Sequence, residues 1–150
     1  MSIDSYDKRR YFAVANNLMS KMKIDHVALF CSDLEGMKDF FMHFFGAQPN
    51  ELYHNKRTGL KTYILSFPEG GARLEIMHRP DVERQPGDEY CHLGYIHLSI
   101  SVGSKEQVDS LTLQLKDAGY QVLSGPRTTG DGYYESCIVG PEKILIEVTV

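Results

Sequence analysis

The stretch KIDHVALFCSDLEGMKDFFMHFFG, residues 23–46, decides the fold, because it has the pattern of a short strand followed by a helix that a glycine ends. The same pattern returns at residues 95–119, YIHLSISVGSKEQVDSLTLQLKDAG. Each strand carries one histidine, and an S-x-x-E/Q capping box precedes each helix, with Ser32 and Ser104 as the predicted N-caps. This internal repeat predicts two copies of one structural unit.

Three further strands are predicted in each copy, because short apolar runs are separated there by glycine and proline turns. Their predicted ranges are 48–54, 61–67 and 72–78 in the first copy, and 121–124, 133–139 and 144–150 in the second. The fold class is therefore α+β, with two βαβββ modules at 22–78 and 91–150. The charged and proline-containing stretch 79–90 joins them. Residues 1–21 form an N-terminal arm to which no function is assigned.

Two histidines and two glutamates stand at equivalent positions of the repeat. His26 and His97 are 71 residues apart, and Glu75 and Glu147 are 72 residues apart. Side chains of a strand alternate between two faces, so Glu147 in KILIEVTV (143–150) lies opposite its aliphatic neighbours. We expect the helices to cover the aliphatic face of each module, and the face with His and Glu to line a cavity.

Taken singly, each of these four residues has the pattern of a solvated polar side chain on a strand. Taken together, two neutral imidazoles and two carboxylates are a ligand set for a borderline divalent ion such as Ni, Co, Zn, Mn or Fe(II). The sequence therefore predicts a metal site made of His26, Glu75, His97 and Glu147. Such a set leaves coordination positions open for water or substrate.

Length and composition exclude several classes of protein. A chain of 150 residues is the size of one domain. Its net charge of −4 argues against a nucleic-acid partner, and no apolar run approaches the roughly 18 residues of a membrane span. Three cysteines without CxxC spacing, Cys31, Cys91 and Cys137, suit reduced thiols in a cytoplasm and are expected to be small core residues.

The segments IDHVALFCSDLEGMKDFF, GARLEIM, GYIHLSISV and GYYESCIVGPEKILIEV together resemble the vicinal oxygen chelate superfamily, in particular its glyoxalase I (lactoylglutathione lyase)-like members. The resemblance covers residues 22–150. It implies a curled sheet around a metal-binding cavity, with ligands on the first and last strand of each module, which are the four residues named above. It also implies a homodimer, with sites either within one chain or shared between two.

The resemblance implies a metal-dependent lyase or isomerase that acts on a small substrate with vicinal oxygens through an enediolate-type intermediate. Glu147 is then the expected proton-transferring base, with Glu75 sharing or taking that role. The family topology places the loop at 130–136 beside the cavity, so Tyr133 or Tyr134 is expected to contact substrate. The alternative for both tyrosines is simple packing at a hairpin.

Two positions depart from the glyoxalase I pattern. Phe30 stands where those enzymes commonly carry an arginine, and Arg79 where they often carry an asparagine, so the use of glutathione stays open. Three other functions also stay open. They are an acyl-CoA epimerase of the methylmalonyl-CoA epimerase type, an Fe(II) ring-cleaving dioxygenase, and a non-catalytic drug-binding protein.

Overall fold

The computed structural model describes residues 24–82, 95–130 and 132–150. The predicted N-terminal arm, residues 1–21, and most of the predicted linker lie outside the described residues. Among the helices that are described, none has the length and apolar character needed to cross a bilayer.

Both modules have the predicted βαβββ order. The first contains β1 (His26–Phe30), α1 (Leu34–Phe45), β2 (Gln48–Pro49), β3 (Tyr53–His54), β4 (Lys61–Ser66) and β5 (Arg73–His78). The second contains β6 (His97–Ser101), α2 (Lys105–Asp117), β7 (Gln121–Thr128), β8 (Tyr134–Val139), a 3-10 helix (Pro141–Lys143) and β9 (Leu145–Thr149). The strand predicted at 48–54 is split into the short β2 and β3, and the turn at Gly140 and Pro141 leads into the 3-10 helix.

Each module forms its own mixed sheet. The strand order is β1-β5-β4-β2 in the first, with β3 beside β4, and β6-β9-β8-β7 in the second. The first and last strands of a module run parallel and side by side, β1 with β5 and β6 with β9. The remaining pairs are antiparallel. As a result β1 and β6 are edge strands that each lie next to the final strand of their module.

The aliphatic faces of the two sheets contribute to one core, as expected from the alternation of their side chains. Ile76 on β5 and Ile146 on β9 are fully buried in the same hydrophobic cluster as Phe41 of α1. The rings of Phe40 and Tyr120 meet edge to face at 5.0 Å and connect the modules. Each sheet therefore turns its aliphatic face inward and its other face outward.

The start of α1 corrects the prediction that Ser32 is its N-cap. Asp33 is the N-cap, and its carboxylate accepts a hydrogen bond of 2.9 Å from the backbone N–H of Gly36. The N–H and hydroxyl of Ser32 instead donate to Glu142 of the second module. A carboxylate from a distant part of the chain thus occupies the position that the local capping box would use. The other predicted cap is confirmed, because Ser104 accepts from the N–H of Gln107 at 3.3 Å.

Strand β7 is longer than predicted. The strand predicted at 121–124 continues through Gly125 and Pro126 to Thr128, with register shifts after Val122 and after Ser124. Proline is tolerated at a bulge of an edge strand because no ladder hydrogen bond is lost there. The strand lies at the edge of its sheet, which accommodates the proline.

Candidate metal centre

Parallel pairing of β1 and β5 brings His26 and Glu75 together. Glu75 lies opposite Ala28, two residues along from His26, so both side chains project from the same face of the sheet. The Nε2 atom of His26 is 3.7 Å from Oε2 of Glu75. The first predicted half of the site is therefore assembled by the fold of a single module.

The second module repeats this arrangement. Glu147 lies opposite Ser99, two residues along from His97. The Nε2 atom of His97 is 3.2 Å from Oε2 of Glu147. We call the faces that carry these two His–Glu pairs the ligand faces of the two sheets.

The donor atoms of each pair are near the spacing of neighbouring ligands of one ion. Ligands with bonds of about 2.1 Å lie about 3 Å apart at right angles and about 3.4 Å apart at the tetrahedral angle. The pair at 3.2 Å falls within this range, and the pair at 3.7 Å is slightly wider. The two histidine side chains are 42% and 37% exposed and the two glutamate side chains 22% and 20%. Nitrogen and carboxylate donors of this kind suit a borderline divalent ion. The residues present therefore fit a divalent metal.

One chain does not gather all four residues. In the part of the chain that the structure describes, no three His, Cys, Asp or Glu side chains cluster as a metal site. The reason is the shared core, since each ligand face points away from the side on which the two modules meet. Residues 24–82 and 95–150 thus present two separate half-sites.

The surroundings of the two glutamates differ. Glu75 lies between Ala28 and Ile64 on the neighbouring strands, whereas Glu147 lies between Ser99 and Cys137. Burial, and next the negative charge of Glu147, raise the pKa of the Cys137 thiol. This thiol is therefore protonated at neutral pH.

Cys31 is a core residue, as expected. Burial raises the pKa of its thiol to about 12, and only 6% of the residue is exposed. Cys31 and Cys137 are both free thiols. Cys91 lies outside the described residues.

Sequence reasoning missed Asp25. Its carboxylate lies 2.9 Å from Nδ1 of His26 and also pairs with the guanidinium of Arg73. The hydrogen bond from His26, and next the one from Arg73, lower the pKa of this carboxyl. The comparison of the two repeats concealed it, because the equivalent residue before His97 is Ile96. The direct adjacency of Asp and His was the available signal.

The two tyrosines predicted to contact substrate lie in different settings. Tyr134 packs against the core, its hydroxyl donates to Asp109 of α2 at 2.7 Å, and Lys105 lies over its ring. The structure therefore places Tyr134 toward α2, away from Glu147. Tyr133 is 55% exposed, and its backbone is held by Thr129.

The two residues that depart from the glyoxalase I pattern contact each other. The guanidinium of Arg79 lies 5.9 Å from the centre of the Phe30 ring. Phe30 shares the ligand face of β1 with His26 and is 44% exposed. Arg79 also pairs with Asp81, so its charge is balanced locally.

A cleft of about 940 Å³ lies between the modules, on the helix side. Its lining includes Phe44 and Phe67 from the first module and Leu98 and Leu111 from the second. None of the four candidate ligands lines it, but Arg73, which pairs with Asp25, and Ser99, which lies opposite Glu147, do. The cleft therefore borders the two half-sites without containing their ligands.

Comparison with known proteins identifies relatives over most of the chain. Residues 23–148 match the family model described as the Glyoxalase/Bleomycin resistance protein/Dioxygenase superfamily. The uncharacterized protein YqjT of Bacillus subtilis (strain 168) is 29% identical over 126 residues, which are 82% of this chain and 94% of that protein.

Two solved structures show how widely the fold is shared. The glyoxylase/bleomycin resistance protein/dioxygenase domain from Frankia sp. EAN1pec superposes with a TM-score of 0.72 at 19% identity, covering 86% of this chain and 97% of that one. The fosfomycin resistance protein FosX from Listeria monocytogenes, complexed with Mn(II) and sulfate, superposes with a TM-score of 0.60 at 19% identity, covering 84% and 89%. At these identities the likeness concerns the fold.

Proposed function

Since the chain belongs to the Glyoxalase/Bleomycin resistance protein/Dioxygenase superfamily, we propose that it is a metal-dependent, glyoxalase I-like lyase or isomerase acting on a small substrate with vicinal oxygens. The observation that carries this proposal is the pair of repeat-related His–Glu half-sites with donor atoms 3.7 and 3.2 Å apart. A structural role does not account for two such pairs, because each sets an exposed histidine side chain beside a carboxylate at repeat-equivalent positions.

His26, Glu75, His97 and Glu147 are the residues that would hold the metal. A bound divalent ion would supply Lewis-acid chemistry, by polarising the carbonyl and hydroxyl oxygens of the substrate. The structural relative FosX is complexed with Mn(II), which supports a divalent ion of the series from Mn to Zn.

A homodimer would complete the site. Each chain carries two half-sites on outward faces, and the strands that bear the histidines, β1 and β6, are the edges of their sheets. A second chain can therefore approach each ligand face without disturbing the core. In the proposed dimer, His26 and Glu75 of one chain meet His97 and Glu147 of the other, giving two equivalent sites.

Glu147 is the proposed proton-transferring base. Its carboxylate removes the proton from the hydroxyl-bearing carbon of the substrate, and the C–H electron pair moves onto the adjacent carbonyl, giving an enediolate-type intermediate. Return of that proton to the former carbonyl carbon, while the hydroxyl proton passes to the other oxygen, completes an isomerisation that consumes no second reactant. The position of Glu147 favours this role because its carboxylate lies on the ligand face beside His97, where a substrate held by the metal would lie. Glu75 is the alternative base.

Tyr133, immediately before β8, is the proposed substrate contact, since this residue is exposed there. Tyr134 can take part only if it gives up its hydrogen bond to Asp109. A cytoplasmic location is also proposed, because free thiols suit a reducing compartment.

Elemental analysis of protein purified without a nickel column tests the proposal. We expect about one divalent ion per chain in the wild type, and its loss in His97→Ala and in Glu147→Gln. Glu51→Gln, at an exposed position away from the ligand faces, is the matched control and should retain the ion. A wild-type protein that binds no ion after addition of Ni, Co, Zn, Mn or Fe(II) would overturn the proposed metal site.

A substrate panel then separates the candidate reactions. It contains a glutathione hemithioacetal, an acyl-CoA epimer, a catechol and fosfomycin, the last because FosX is a structural relative. The panel compound that the wild type converts, and that Glu147→Gln does not, identifies the reaction class. Binding of a panel compound with no turnover by the metal-loaded protein would favour the non-catalytic binding function.

A further inference from the structure

We propose that Asp25 is a positioning residue that fixes the imidazole of His26 for metal binding and so makes the two half-sites unequal. This inference rests on the proposed function, in which His26 and Glu75 hold the metal. Among the residues that the structure describes, only the first module has an aspartate in contact with its histidine in this way.

The geometry at His26 assigns its two ring nitrogens different tasks. Nδ1 lies 2.9 Å from the carboxylate of Asp25, while Nε2 is the atom directed at Glu75. A neutral imidazole carries one N–H, so donation from Nδ1 to Asp25 leaves a lone pair on Nε2. A carboxylate that holds the far nitrogen of a ligating histidine also fixes the orientation of the ring.

Asp25 is itself held from β5. The guanidinium of Arg73 pairs with its carboxylate, and the backbone N–H of Arg73 donates to the carbonyl of Asp25 at 2.9 Å. The Asp25 and Arg73 side chains are 56% and 40% exposed, so this ion pair contributes little to stability. Its effect is to restrict where the carboxylate can lie.

The second half-site lacks both groups. Ile96 and Leu145 occupy the positions equivalent to Asp25 and Arg73. Within the described ranges, the ring of His97 has one recorded polar contact, from Nε2 to Glu147 at 3.2 Å. Among the described residues, none is recorded as accepting a hydrogen bond from Nδ1 of His97, so nothing holds the proton of this ring on the far nitrogen. The first half-site is thus arranged for metal binding in advance, whereas the second is not fixed in this way.

Metal affinity of the dialysed protein, measured by competition with a chelator, tests the inference. Asp25→Ala should weaken affinity by about 10- to 100-fold, the range for loss of such a supporting carboxylate. Asp25→Asn should lose less metal affinity, because the amide oxygen still accepts a hydrogen bond from Nδ1 of His26. Asp81→Ala is the matched control, since Asp81 is an exposed aspartate just after the first module that also pairs with an arginine. It should bind metal as the wild type does.

A second measurement excludes a purely structural role. Long-range 1H–15N NMR of the metal-free protein should show His26 with its proton on Nδ1, and Asp25→Ala should move that population toward Nε2. The signals of His97 should be the same in both proteins. Unchanged affinity and an unchanged His26 tautomer in Asp25→Ala would overturn the inference.

The same titrations keep the two proposals apart. If His26→Ala loses the metal while Asp25→Ala binds it as the wild type does, the metal site stands and the role of Asp25 is wrong. If His26→Ala also binds with wild-type affinity, the proposed metal site itself is wrong.

Discussion

The carboxylate of Glu142 accepts hydrogen bonds from the backbone N–H groups of Ser32, at 2.8 Å, and Asp33, at 2.7 Å. It thereby places a negative charge at the positive end of α1 and connects the second module to the first. Glu142 adopts a left-handed backbone conformation, with φ of 52°, which is unfavourable for a residue other than glycine. The contact persists because the hydrogen bonds at the helix end offset that cost.

Replacing Glu142 with alanine should lower the free energy of unfolding by about 1 to 2 kcal/mol. The estimate is that of hydrogen bonds to a charged acceptor, reduced because the site is exposed. Urea unfolding followed by circular dichroism measures the change. Glu51→Ala removes an exposed carboxylate that makes no contact between the modules and should unfold at the wild-type midpoint. Equal midpoints for the two variants would show that the contact contributes nothing.

The same carboxylate predicts a dependence of stability on pH. Partial burial opposes ionisation, but hydrogen bonds from Asp33 and Ser32 outweigh it and lower the pKa of Glu142 from 4.5. A pKa lower in the folded than in the unfolded state means stabilisation that is complete above the unfolded value and lost as pH falls through the folded one. The gap in stability between wild type and Glu142→Gln should therefore be wide at neutral pH and narrow at about pH 3. A gap of constant size would contradict this.

A buried hydroxyl pair attaches α2 to β8. Thr112 donates to the carbonyl of Val108 at 2.6 Å, so the 2.6 Å contact between Thr112 and Ser136 must use the proton of Ser136. Thr112→Val therefore leaves the Ser136 hydroxyl without an acceptor and should cost about 1–3 kcal/mol. Ser136→Ala leaves Thr112 bonded to Val108 and should cost less. In urea unfolding, the free energy of unfolding of the double variant should fall by less than the sum of the two single decreases. Additive decreases would show that the two hydroxyls are not coupled.

The internal repeat of the sequence was enough to predict much of the fold. The offsets between His26 and His97 and between Glu75 and Glu147 identified these residues as equivalent in the two modules. Strand alternation, which is local, then assigned each of them to a face of its strand. Burial of Ile76 and Ile146 followed from the same alternation. These features depend on short-range periodicity, which a single sequence contains.

Features that arise from contacts between distant residues were not predictable in the same way. Nothing near Ser32 indicates that Glu142, more than a hundred residues away, occupies its N–H and hydroxyl. Asp25 was overlooked for the opposite reason, since the comparison of repeats emphasises what the modules share. The separation of the site into two halves depends on how the modules pack, and side-chain periodicity does not encode that packing.

Mixing two inactive variants tests whether the site is shared between chains. In a His26→Ala homodimer, and equally in a His97→Ala homodimer, every shared site lacks one histidine. In a mixed dimer both substitutions fall in one site and the other is intact. Refolding the two chains together should therefore restore roughly a quarter of the wild-type metal content, because half of the dimers are mixed and half of their sites are complete.

The matched control for this mixture is His26→Ala refolded with Glu75→Gln. Both substitutions affect the same half-site, so each site of their mixed dimer lacks one ligand and no metal should be recovered. Recovery in the first mixture but not in the second can arise only if the His26–Glu75 half and the His97–Glu147 half of a site come from different chains. Absence of recovery in the first mixture, with mixed dimers demonstrated by mass spectrometry, would contradict the shared site.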